Sequence, residues 1–83
     1  MNYTIKYWVD NKHREQGISE LFFDNLTDLD QAIRQAQKIV DSVGYACAEV
    51  IETETLDTEN ENVLYGYDGI DFWYNNKGTK VNE

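Results

Sequence analysis

The sequence predicts an α+β domain in which a single helix packs on one face of a four- or five-stranded antiparallel sheet, in the order β-β-α-β-β(-β). Three observations lead there. Residues 28–43 place apolar side chains at Leu29, Ala32, Ile33, Ala36, Ile39, Val40 and Val43, the three-to-four spacing of one buried helical face. The flanking segments are short, rich in aromatic and β-branched residues, and bounded by turn residues, as strands are. Strands grouped before and after one helix favour an antiparallel sheet with that helix lying across it.

Taken in order, residues 3–10 read as the first strand. Tyr3, Ile5, Tyr7 and Val9 share one face, and Thr4, Lys6, Trp8 and Asp10 the other. NKHREQG, residues 11–17, is polar, ends in glycine and reads as a hairpin loop. Residues 18–24 form the second strand, with Leu21 and Phe23 alternating against Ile18, Glu20 and Phe22. Thr27 is placed to cap the helix, Asp28 and Asp30 lie near the positive end of its dipole, and Gly44 suits a left-handed termination. Residues 45–55 read as the third strand, whose Ala46, Ala48 and Val50 offer a small-residue face for close approach of the helix. Tyr45, Cys47, Glu49, Ile51 and Thr53 then point away from it. DTENEN, residues 57–62, is a polar loop, and residues 63–67 and 70–74 are strands around an Asp68-Gly69 turn. Residues 1–75 are thus expected to form one domain, and 76–83 a flexible C-terminal tail.

A chain of 83 residues buries only a thin core. Cys47 is the single cysteine, which excludes an internal disulfide, and no Cys/His cluster suggests zinc. The opening MNYTIKYWVD lacks the basic and apolar regions of a leader. The apolar runs fall well short of the roughly 20 residues that cross a bilayer. A cytoplasmic protein with no membrane partner is therefore expected. Sixteen acids against seven basic residues leave a net charge of −9, and the imbalance is local: residues 49–71 hold eight acids and no lysine or arginine. Such a field repels nucleic acid and anionic membranes and attracts basic surfaces.

Patterns for catalysis are missing. His13, the only histidine, lies between Lys12 and Arg14 with no serine or cysteine evidently placed beside it. Cys47 stands between two alanines, the setting of a small buried hydrophobe rather than a reactive thiolate. No nucleophile elbow, zinc-binding HExxH or phosphate-cradling glycine loop occurs. Neither an enzyme nor a cofactor is expected. Asp57, Glu59 and Glu61 alternate, with Asp68 at the twelfth position of a calcium-type loop, but Asn62 replaces the glycine that loop needs at its sixth, so no metal site is expected.

What remains is the acidic stretch itself. Glu52 and Glu54, like Glu59 and Glu61, are two residues apart, which in an extended strand puts both on one face at roughly 6.6 Å spacing. Aromatic residues follow directly, and carboxylates beside aromatics suit an arginine-rich partner. The candidate partner-binding residues are Glu49, Glu52, Glu54, Asp57, Glu59, Glu61, Tyr65, Tyr67, Asp68, Asp71 and Trp73. In composition alone the chain is similar to the small acidic inhibitors that phages and mobile elements direct at host nucleases, some of which mimic nucleic acid. The resulting expectation is a non-enzymatic inhibitor or adaptor docking on a basic, nucleic-acid-binding protein. The alternative is a small structural or regulatory homodimer that pairs through an uncovered sheet face carrying Trp8, Phe22 and Ile51.

Lys6, Lys12 and Arg14 are too few to offset the −9 field, so the protein is expected not to bind nucleic acid directly. A gel shift with micromolar protein at physiological salt checks this, and a retarded DNA or RNA band would contradict it.

Overall fold

The computed structural model describes residues 2–56 and 58–74, with residues 23–25 and 74 described through their backbone only. Five strands form one antiparallel sheet: β1 (Tyr3–Trp8), β2 (Glu20–Leu26), β3 (Cys47–Glu52), β4 (Val63–Tyr67) and β5 (Phe72–Tyr74), in the spatial order β2-β1-β3-β4-β5. One long helix packs on its inner face, as the α+β reading expects. The fifth strand joins the sheet as an edge. The expected 76–83 tail lies outside the described residues.

Both β2 and β3 pair antiparallel with β1, so they run parallel to each other and need a crossover. Helix α2 (Leu29–Lys38) supplies it. Its apolar stripe buries Ala32 and Ala36 completely against Ile5, Ala48, Val50 and Tyr65. Gln37 donates from its side-chain amide to the Tyr65 hydroxyl at 2.9 Å, which satisfies a polar atom at the rim of the contact. The cap is Asp28 rather than Thr27: its carboxylate accepts from the backbone N–H of Asp30 at 3.0 Å.

After Lys38 the last turn widens into a π-helical segment, Ile39–Val43. Gly44 ends it at φ 97°, donating to the carbonyls of Ile39 and Val40 at 3.2 Å each. Ile39 and Val40 stay buried, but Val43 is 60% exposed instead of sharing the apolar face. The wider turn changes the angular phase by which the sequence spacing places it there.

The segment expected as a plain hairpin loop contains a second helix, α1 (Asn11–Gln16). It buries no residue and is held by its ends. Asp10 accepts from the backbone N–H of His13 at 2.8 Å, and Gly17, at φ 74°, donates to the carbonyl of Arg14 at 3.2 Å. With no apolar period, only these caps mark it in the sequence.

The cross-strand register assigns the faces. On the helix side, Phe22, Ile5, Val50 and Tyr65 stand side by side. Phe22 therefore packs toward α2 and not on the far face, which corrects the sequence expectation. The reason is the cross-strand pairing: Phe22 stands opposite Ile5, so its side chain shares the face on which Ile5 meets the helix. Tyr45 also belongs to the helix side, stacked on Tyr7 with ring centroids 4.6 Å apart and planes 8° from parallel. It precedes β3, so strand alternation does not govern it.

On the other face a single row of partners crosses all five strands: Leu21, Lys6, Glu49, Gly66 and Trp73. The Trp73 indole lies flat on Gly66, where any Cβ would collide with its ring. The segment after β3 folds back over the next row. Thr53 and Thr4 share a hydroxyl–hydroxyl bond of 2.7 Å, and Glu61 reaches Lys6 at 3.0 Å. Thr4, Ile51 and Val63 are consequently buried. Ile51, expected on an uncovered face, has no exposed surface, so Trp8, Phe22 and Ile51 form no shared patch.

Ala36 faces the sheet with no exposed surface, and Ala36→Asp would bury an unpaired charge. A loss of roughly 3–5 kcal/mol in denaturant unfolding is expected. An unchanged unfolding midpoint would contradict the packing.

Candidate functional site

The acidic stretch does not form an extended ladder. β3 ends at Glu52, and residues Thr53–Thr55 form a 3-10 turn that removes Glu54 from the strand register. Thr55 makes this turn: its hydroxyl donates to the Glu52 carbonyl at 2.8 Å and accepts from the Asn62 N–H at 2.8 Å. Glu59 lies in a second turn, with Thr58 bonded back to the Thr55 carbonyl. The 6.6 Å spacing that alternation implies therefore applies to neither glutamate pair, because both pairs straddle turns.

The other candidate residues separate as well. Tyr65 is 1% exposed and forms part of the core, so it cannot be a surface anchor. Tyr67 donates to the Asp41 carboxylate at 2.9 Å, which raises its phenol above the ordinary range. Asp68 accepts from the N–H groups of Asp71 and Ile70, and these bonds hold it below the usual carboxylate range. Asp71 is exposed. Glu49 and Trp73 are half-buried neighbours on the second face, where the indole N–H favours the ionised carboxylate. Glu61 is taken up by Lys6, and Asp57 lies outside the described residues.

Two ends of the sheet emerge with different chemistry. Tyr3 pairs with both Leu26 and Glu52, so the start of α2 and the end of β3 share one end. Asp28, Asp30, Glu54 and Glu59 are exposed there, with Glu52 partly so. Lys6, the nearest cation along the strands, is already committed to Glu61. The other described basic residues sit elsewhere, Lys12 and Arg14 on α1 and Arg34 and Lys38 along α2.

At the opposite end a cleft of about 520 Å³ opens where α1, the end of α2 and the β4–β5 turn meet. Asp10, Asp41 and Asp68 are spread among its walls, with Arg14 Nη1 lying 3.9 Å from Asp68 Oδ2. Ile70, at the tip of the turn, is 87% exposed and Phe72 beside it is 45% exposed. Neither stands out in the sequence, where both read as ordinary strand residues. The Asp68-Gly69 signal was the only hint, since the loop it opens extends to Asp71.

His13 Nδ1 lies 2.6 Å from Asp10 Oδ1, the oxygen that caps α1 by accepting from the His13 backbone N–H. Cys47 is buried, and burial pushes its thiol up to about 11. Such a thiol carries almost no thiolate at neutral pH. Among the described residues no group of three His, Cys, Asp or Glu side chains is placed to hold a metal ion, and no helix is long and apolar enough to cross a membrane.

Glu49 has its carboxyl raised above the ordinary range, chiefly by burial and against the pull of Lys6. Its protonated form supports the fold below the ordinary carboxylate range, and that contribution is lost as pH rises through the raised folded value. Glu49→Gln keeps an acceptor for Trp73 and cannot ionise. Melting curves from acid to neutral pH should therefore show the variant gaining on the parent as pH rises; parallel profiles would refute it.

No protein-family model matches the chain, and no curated protein or solved structure matches it either.

Proposed function

We propose that this protein is a small, non-enzymatic acidic binding protein, an inhibitor or adaptor that docks on a basic, nucleic-acid-binding protein. One observation supports this reading above the rest. Exposed carboxylates from two separate parts of the chain, the start of α2 and the 52–59 segment, converge on one end of the sheet with no uncommitted cation among the described side chains there. Like charges brought together in this way oppose the compact state slightly. In return they present a field that steers a cationic surface onto that end and fixes its orientation. The docking residues of this reading are Glu52, Glu54 and Glu59 with Asp28 and Asp30. Glu61 is assigned to holding the segment through Lys6. Tyr65 is omitted because it is buried.

The homodimer alternative loses its surface, since Phe22 faces the helix and Ile51 is covered.

The test is Glu54→Lys combined with Glu59→Lys, two exposed positions whose substitution leaves the 53–62 hydrogen bonds intact. Circular dichroism and the melting temperature should stay unchanged. Capture of basic proteins from a cell extract at low salt should fall about tenfold or more, and capture by the parent should itself weaken steeply with added salt. Capture that is equal for both proteins and indifferent to salt would remove the acidic-docking reading.

A further inference from the structure

The cleft at the far end of the sheet plays no part in that docking surface, and its walls suit a different contact. Tyr45 lines one wall, and its ring is stacked on Tyr7. Val40 and Ile70 supply apolar surface, and Ile70 stands at the mouth with most of its side chain in solvent. The three carboxylates around the cleft are each oriented by a bond inside the protein: Asp10 by His13, Asp41 by Tyr67, Asp68 by the turn N–H groups. An ionised carboxylate has about four acceptor sites, so each keeps capacity for another donor. The charge around the cleft is three carboxylates against the single guanidinium of Arg14, which stands 3.9 Å from Asp68, beyond hydrogen-bonding distance.

A guest matching these walls has an apolar stem, a flat cationic head and donors pointing several ways. We infer that the cleft receives an arginine side chain presented by a partner protein, its methylene stem along Val40 and Ile70 and its guanidinium between Tyr45 and the surrounding carboxylates. The preference for arginine over lysine follows from geometry. A guanidinium stacks its plane on an aromatic ring while its five edge donors reach carboxylates on separate walls, whereas an ammonium is a compact point charge. The volume of about 520 Å³ accommodates one such side chain with accompanying water. Arg14 opposes the guest by charge and so sets how tightly it is held. The inference takes its source of arginine, a basic protein, from the reading above, but the cleft's selectivity is testable without any partner.

The experiment titrates ¹⁵N-labelled protein with N-acetyl-arginine methylamide and follows the backbone amides. Parallel titrations use the isosteric, uncharged N-acetyl-citrulline methylamide and the lysine analogue. Arginine should shift Gly44, Ala46, Gly69 and Ile70, with citrulline about threefold to tenfold weaker and lysine between them. Asp41→Asn, which keeps an acceptor for the Tyr67 hydroxyl, should weaken the arginine response by a similar factor, and Arg14→Gln should strengthen it. The same spectra report whether each variant is folded. Shifts confined to the 52–62 end, equal responses to arginine and citrulline, or no saturable response would overturn the inference. The Glu54→Lys, Glu59→Lys protein separates the two ideas. Persistence of cleft shifts in that variant supports an independent site, whereas their loss would show that arginine senses only the acidic end.

Discussion

Ala32 and Ala36 let the backbone of α2 settle onto Ile5, Val50 and Tyr65, and the other elements take their positions from that contact. A helix that must cross from β2 to β3 over β1 has no freedom to stand off the sheet, because the chain is too short to fill a wider gap. Small side chains at the crossing close the gap with backbone and Cβ atoms alone. The larger residues, Leu26, Ile39 and Val40, then seal the two ends. Tyr65 adds a long aromatic side chain whose hydroxyl ends at Gln37, so burying it leaves no polar atom stranded.

The second face is closed by different means. No helix covers it. The 53–62 segment, the Trp73 indole over Gly66 and the Lys6–Glu61 pair share the task. Charged groups are thereby drawn into half-buried positions, Glu49 most of all, whose raised carboxyl records the cost of that shelter. Much of what the chain gains in covering Thr4, Ile51 and Val63 is linked to whether Lys6 keeps its carboxylates. This face is consequently more sensitive to charge than the helix side.

The remaining acids differ in whether they have work inside the fold. At the cleft end, Asp10 caps a helix, Asp68 shapes a turn and Asp41 binds a tyrosine. At the opposite end Glu54 and Glu59 stand in solvent, where their effect on stability is small and their effect on an approaching cation is large. Charge that the fold does not use is the natural place to look for an interaction. The structural acids at the cleft differ in being held rigidly, so any cation they accept meets preset geometry.

By itself the sequence determined the α+β class, the helix and its buried alanines, the exact limits of β4, and the left-handed glycine after Val43. These features are local. Apolar period, caps and turn residues each act over a few neighbouring positions, so they are visible without knowing what packs where. The terminal caps of α1 were also present in the sequence, but a helix that buries nothing has no period to announce it. The candidate site was legible only as an excess of charge. Strand alternation assigned Phe22 and Ile51 to an open face and put the glutamates in a ladder. The pairing of Phe22 with Ile5, the turn closed by Thr55 and the 53–62 segment decided otherwise. The fates of Glu61 and Asp41 depended on contacts between distant residues: Glu61 with Lys6, Asp41 with Tyr67. Side chains 26 to 55 positions apart meet only when the sheet has assembled, and a charge is exposed or sheltered by what surrounds it rather than by its neighbours along the chain.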